Sequence, residues 1–146
     1  SLEEISLPLG KIKEISKELN IEHLLNKKMG SISGGERQIV TIASCVLQNT
    51  PIILLDEPTS ALDLKNQYAV LSLLKKISSE GKTIILSSHN PNHALFLKSN
   101  VFLMDNGNII NKGNAKSIIN KETLKGVYGD NICYSNELEF KEVSFK

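Results

Sequence analysis

An α/β fold with a mainly parallel sheet flanked by helices follows from three features of this 146-residue chain. Two short apolar runs, Ile52-Ile53-Leu54-Leu55 and Thr83-Ile84-Ile85-Leu86-Ser87, lack polar alternation and read as parallel strands buried on both faces. Between them lies a helical-period stretch with Val70, Leu71, Leu74 and Ile77 on one side, giving the order strand, helix, strand. The chain is also long enough for one sizeable core, and 40% hydrophobic with 23% charged residues is ordinary for a globular domain or part of one.

The remaining elements follow in chain order. Pro8 suits a first helical turn, and Ile12, Ile15 and Leu19 recur at helical spacing up to Asn20. Residues 21–27 read as a short second helix. Ser33 can cap a third, whose positions Ile39, Ile42, Ala43, Val46 and Leu47 follow the i, i+3, i+4, i+7, i+8 pattern before Asn49 and Pro51 end it. After His89-Asn90-Pro91 a short helix reaches about Lys98. Asp105-Asn106-Gly107 between two apolar runs is a hairpin signal. Two small helices follow, from Ala115 and from Glu122, and the tail over residues 132–146 partly alternates apolar with polar residues.

Charge and cysteine content exclude several classes. The net charge of +1 comes from 17 basic and 16 acidic residues, and Arg37 is the only arginine, so no nucleic-acid footprint is visible. No apolar run approaches the roughly 20 residues that cross a bilayer, and the N-terminus lacks a signal-peptide layout, so the chain is expected to be soluble and cytosolic. Cys45 and Cys133 stand apart without metal-ligand spacing, and Cys45 falls on the apolar side of its helix. His23 and His93 match no motif and read as surface or packing residues.

Chemistry concentrates in two places. Ser33-Gly34-Gly35-Glu36 opens a helix, where free N–H groups and the positive dipole end can meet an anion and glycine permits close approach. Asp56-Glu57 follows an apolar strand at its carboxyl end, the edge at which α/β sheets place ligands, and continues into Pro58-Thr59-Ser60-Ala61-Leu62-Asp63. Together these make half of an ATP site. The other half needs G-x-x-x-x-G-K-S/T, and no stretch supplies it. Gly81-Lys82-Thr83 has the last three letters but Lys76 at the first glycine, and it lies between a helix and a strand in the wrong order, so it reads as a turn.

In that order, these motifs resemble the second half of an ABC-type ATPase over nearly the whole chain. Ile32-Ser33-Gly34-Gly35-Glu36 stands where the family reads L-S-G-G-Q, and Ala43 lacks the arginine commonly beside it. The resemblance implies a partial P-loop NTPase fold with the P-loop strand absent. Residues 1–31 are then the remnant of a helical subdomain, 32–130 the signature, Walker B and switch-histidine core, and 131–146 a C-terminal tail. It further implies that Asp56 holds Mg²⁺, that Glu57 activates the attacking water as general base, and that His89 contacts the γ-phosphate. Ser33, Gly34, Gly35 and Glu36 then bind ATP held by a partner's P-loop, and Asp63 shapes the interface between two facing subunits while also suiting a helix N-cap.

Leu62-Asp63-Leu64-Lys65-Asn66-Gln67 and Thr123-Leu124-Lys125-Gly126-Val127-Tyr128-Gly129 look like the ATPases of iron-siderophore, haem and cobalamin importers. The partners so implied are a second ATP-binding subunit, membrane permease subunits that meet residues 5–29 on the inner face of the cell membrane, and the missing P-loop segment. Without that segment the chain is expected to bind ATP weakly and not to turn it over, and its exposed strand edge invites pairing with another copy. A different class, the DNA-repair and chromosome-maintenance ATPases, also separates signature from P-loop. Against it, the segment ahead of Ser33 is short and shows no sustained heptads. A noncatalytic regulatory fragment is the third reading.

Overall fold

A computed structural model describes residues 9–129. They form two compact units, divided between His89 and Asn90. In the first, α1 (Leu9–Glu18) is followed by a single 3-10 turn at Glu22–Leu24 and another at Met29–Ser31, then by α2 (Gly34–Leu47), β1 (Ile52–Leu55), α3 (Leu64–Ser79) and β2 (Thr83–Leu86). The helix expected over 21–27 is thus only one 3-10 turn. Asn20 adopts a left-handed φ of 57°, and Ile21 and Leu24 turn into the core. A segment that short gains too few hydrogen bonds to offset helix nucleation.

β1 and β2 pair in parallel, Ile53 opposite Ile84 and Leu55 opposite Leu86, and the expected parallel strands are therefore present. Their burial is not as expected. Ile53 is buried, and Leu55, Ile84 and Leu86 pack against a core formed by α1, α2 and α3, including Leu19, Ile39, Val46, Val70 and Leu74. Ile52, Leu54 and Ile85 lie on the other face and are 55%, 70% and 58% exposed. Both faces are apolar, but among the described residues of this unit helices pack on only one. The sequence boundary at 31/32 falls inside this unit, whose core runs across it from Ile15 to Ile77.

Helix ends follow the capping chemistry. Ser33 caps α2 in a capping box: its hydroxyl accepts from the Glu36 N–H, and the Glu36 carboxylate accepts from the Ser33 N–H at 2.7 Å. Asp63 caps α3, accepting from the Asn66 N–H at 2.8 Å. Gly81, at φ 96°, turns the chain from α3 into β2, which settles Gly81-Lys82-Thr83 as a helix-to-strand turn. Cys45 is half-buried against the core.

The second unit contains α4 (Pro91–Leu97), the antiparallel pair β3 (Asn100–Asp105) and β4 (Asn108–Asn114), α5 (Ala115–Ile118) and α6 (Lys121–Tyr128). The hairpin turns at Asn106 and Gly107, both at positive φ, the two-residue loop that the dipeptide predicts. Ile118, Ile119 and Leu124 form its core with Ala94, Leu95, Val101 and Leu103, and His93 is buried. The expected strand or arm over 132–146, Cys133 and Pro8 lie outside the described residues.

Candidate functional site

The acidic pair stands at the carboxyl end of β1, beside the carboxyl end of β2. Because Leu55 pairs with Leu86, the residues that follow, Asp56 and Ser87, emerge side by side. The Ser87 hydroxyl donates to Asp56 Oδ1 at 2.5 Å and accepts from the Glu57 N–H at 2.9 Å. One hydroxyl therefore fixes both acidic residues. Two positions further along, His89 Nδ1 lies 2.9 Å from Glu57 Oε2. Asp56, Glu57 and His89, proposed separately from the sequence, share one hydrogen-bonded group. Here Glu57 and His89 meet each other.

Glu57 also has unusual backbone geometry. Its φ is 44°, in the left-handed region that costs an ordinary side chain of order 1–3 kcal/mol and persists only where surroundings over-determine it. Its N–H is held by Ser87. Its carbonyl accepts from Ser60 N–H at 3.2 Å, Ser60 Oγ at 3.0 Å and Gln38 Nε2 at 3.0 Å. The loop then continues through buried Thr59 and Leu62, and Gln67 Nε2 donates to the Leu62 carbonyl at 2.9 Å.

At the mouth of α2 the two glycines differ. A Cβ at Gly34 would meet nothing within 4 Å, whereas one at Gly35 would lie 3.0 Å from the Ala61 carbonyl oxygen. Gly35 thus favours a close approach to the loop after the acidic pair, which a side chain would push back by a few tenths of an ångström, and Gly34 leaves open space in front of the helix. The Glu36 carboxylate turns back on the helix, and the Ser33 amide and hydroxyl hold it below the usual carboxylate range, with smaller contributions from His23 and Lys27. His23 Nε2 lies 3.5 Å from Glu36 Oε1. Asp63 spends its carboxylate locally, on Asn66 N–H and Asn66 Nδ2.

Among the described residues no group of three His, Cys, Asp or Glu side chains could cage a metal ion. Mg²⁺ does not require such a cage, since it is commonly held by one or two carboxylates, with phosphate oxygens and water completing the octahedron. A strand-tip Asp56 oriented by a hydroxyl fits that donor set.

Sequence reasoning missed Ser87, Gln38 and the Gly35–Ala61 contact. Ser87 could have been found by counting equal steps beyond two paired parallel strands. Gln38 could not, because its side chain must cross from α2 to a loop nineteen positions on.

A parallel β-α-β unit with an acidic strand tip beside a capped Gly-Gly helix belongs to the class of α/β domains that meet ligands at the carboxyl ends of their strands. Comparison with known proteins narrows this class. The ABC transporter family profile matches residues 8–60. An uncharacterized ABC transporter ATP-binding protein of Haemophilus influenzae is 38% identical over 111 residues, covering 76% of this chain and 42% of that protein. The hemin import ATP-binding protein HmuV of Shewanella denitrificans is 37% identical over 116 residues, covering 75% and 46%. The structure of an inward-facing metal-chelate type ABC transporter matches with a TM-score of 0.69 at 35% identity, covering 82% of this chain and 48% of that one. The chain belongs to the ABC transporter ATP-binding family, and it spans about half the length of these relatives.

Proposed function

We propose that the chain is the signature, acidic-strand and switch-histidine portion of the ATP-hydrolysing subunit of an ABC importer. The observation that carries this reading is the hydrogen-bonded group of Asp56, Glu57, Ser87 and His89 at the carboxyl ends of two parallel strands. Relatives bear names for hemin, vitamin B12 and molybdate import. An iron complex, haem or cobalamin is the cargo we favour, supported by the likeness of residues 62–67 and 123–129 to such importers.

Each residue then has a task. Glu57 takes the proton of the attacking water, and its left-handed backbone sets the direction of the carboxylate. His89, 2.9 Å away, steadies Glu57 before ATP enters and turns to the γ-phosphate afterwards. Asp56, oriented by Ser87, would hold Mg²⁺, which supplies charge neutralisation to the phosphates when bound. Ser33 and Gly34 present the open mouth of α2 to a triphosphate held by the P-loop of a facing subunit. Glu36 keeps that mouth capped, and Asp63 fixes the start of α3 beside it.

The partners are a second ATP-binding subunit, membrane permease subunits and the P-loop-bearing remainder of the cassette, which would cover Ile52, Leu54 and Ile85. No described helix is long and apolar enough to cross a membrane, and the peripheral position on the cytoplasmic face that we favour is supported by the likeness to import ATP-binding proteins.

The test is hydrolysis by the complete protein. Glu57→Gln should lower kcat by about 10²–10⁴-fold, the usual contribution of a general base, and leave ATP binding intact. A variant that retains most of its turnover removes the reading. The isolated chain should not hydrolyse ATP, and Mg-dependent hydrolysis by it that Glu57→Gln abolishes would contradict the need for an added P-loop. In cells lacking the subunit, restored uptake of haem or cobalamin but not molybdate would support the cargo, and the reverse would overturn it.

A further inference from the structure

We propose that Gln38, on the first turns of α2, is a positioning residue for the general base. The inference rests on the reading of Glu57 given above. Glu57 sits at φ 44°, a conformation that its own side chain does not favour. Ser87, beyond β2, holds its N–H, and a second restraint from outside the loop is needed on its carbonyl side.

Of the three donors to its carbonyl, two belong to Ser60, within the same turn. A local turn can be satisfied with Glu57 rotated, because the donors rotate with it. Gln38 is different. It comes from another element, its carboxamide donates at 3.0 Å in a half-buried setting, and it makes the orientation of the Glu57 peptide depend on the seat of α2. That helix also approaches the same loop closely, since a Cβ on Gly35 would come to 3.0 Å from the Ala61 carbonyl oxygen. The loop is therefore fastened to the signature helix at both ends.

The carboxylate of Glu57 is reached through a Cα whose orientation this clamp determines. Releasing the Gln38 bond lets the peptide relax toward negative φ and swings the carboxylate away from its place beside His89. The nucleotide is bound by other groups, so the loss falls on turnover. Gln38 thus couples the part of the chain that meets a partner's nucleotide to the part that activates water, through one side chain.

The experiment uses the complete protein with isosteric changes. Gln38→Glu keeps the size but replaces the donor with a carboxylate that repels the Glu57 carbonyl, and Gln38→Met keeps the length without polarity. Each should lower kcat about tenfold, equivalent to about 1.4 kcal/mol of barrier, with KM for ATP and the thermal midpoint nearly unchanged. Gln38→Lys, which restores a donor, should recover most of the loss. In Glu57→Gln, where no base remains to be aimed, Gln38→Met should cost nothing more. The proposal falls if both donorless variants keep kcat within twofold, or if KM rises instead of kcat falling. Should one of them fail to fold, the other decides alone. If Glu57→Gln itself leaves hydrolysis intact, the reading of the site is wrong, whereas loss in Glu57→Gln with normal Gln38 variants removes only the present inference.

Discussion

The two faces of the β1–β2 sheet have the same chemistry and opposite surroundings. Ile53, Leu55, Ile84 and Leu86 point into a core built by three helices, while Ile52, Leu54 and Ile85, of the same residue types, point outward. Strand composition therefore does not reveal which face a given piece of chain will cover. An apolar run without alternation is the mark of a strand buried on both sides. On the proposed reading it records the burial of the assembled cassette, of which this chain supplies one layer.

The largest expected effect breaks that comparison directly. Leu74 is 1% exposed, and Leu74→Ala should cost this chain about 2–5 kcal/mol in denaturant unfolding, from lost burial plus the cavity left behind. Leu54→Ala removes the same atoms from the open face and should change stability by no more than about 0.5 kcal/mol. Equal costs would mean that the open face is covered in solution by another copy. The cost at Leu54 would then grow with protein concentration, as mass action requires.

The glycine pair repeats the contrast at smaller scale. Gly34→Ala enters open space at a helix start and should be neutral or stabilising by about 0.5–1 kcal/mol through reduced unfolded-state entropy. Gly35→Ala gains the same entropy but sets a methyl 3.0 Å from the Ala61 carbonyl, so it should be destabilising by about 1 kcal/mol and should shift the loop after Glu57. Thermal unfolding of the two variants side by side measures the difference. A Gly35→Ala protein as stable as Gly34→Ala would show that the loop yields without cost.

What could be read from the sequence was what local chemistry decides. The Ser33 cap, the Asp63 cap, the Asn106-Gly107 turn and the Asp56-Glu57 strand tip each depend on residues within a few positions of one another, and each is where the sequence placed it. The helix over 21–27 was misread because tertiary burial of Ile21 and Leu24 overrode a weak local preference. The open sheet face was misread because burial belongs to whatever packs on a strand. Ser87 and Gln38 stayed invisible for the related reason that their partners lie thirty and nineteen positions away.

The smallest effects should come from exposed charges, where water covers both sides. The Glu14 and Glu36 carboxyls are held below their ordinary value of 4.5, Glu14 by the Lys76 ammonium and Glu36 by the Ser33 donors. A carboxyl with a lowered folded-state value contributes stability that is complete above its unfolded value and is lost as pH falls through the folded one. Lys76, bonded to Glu14 and Glu18 across α1 and α3, is raised, so its contribution is complete below 10.5 and is lost only as pH rises through its folded value. Stability should therefore be flat near neutrality and fall below about pH 4.5. Glu36→Gln keeps an acceptor for the Ser33 N–H and has no proton to gain. It should be weaker than the parent near neutrality, having lost the charged acceptor, and should lose less on acidification, and Lys76→Met should likewise be weaker near neutrality and less sensitive to added salt, since it has no exposed ion pair to screen. Unfolding midpoints in a series of acidic buffers would show this, and a Glu36→Gln protein with an unchanged acid limb would mean that the capping carboxyl is protonated at the same pH folded and unfolded.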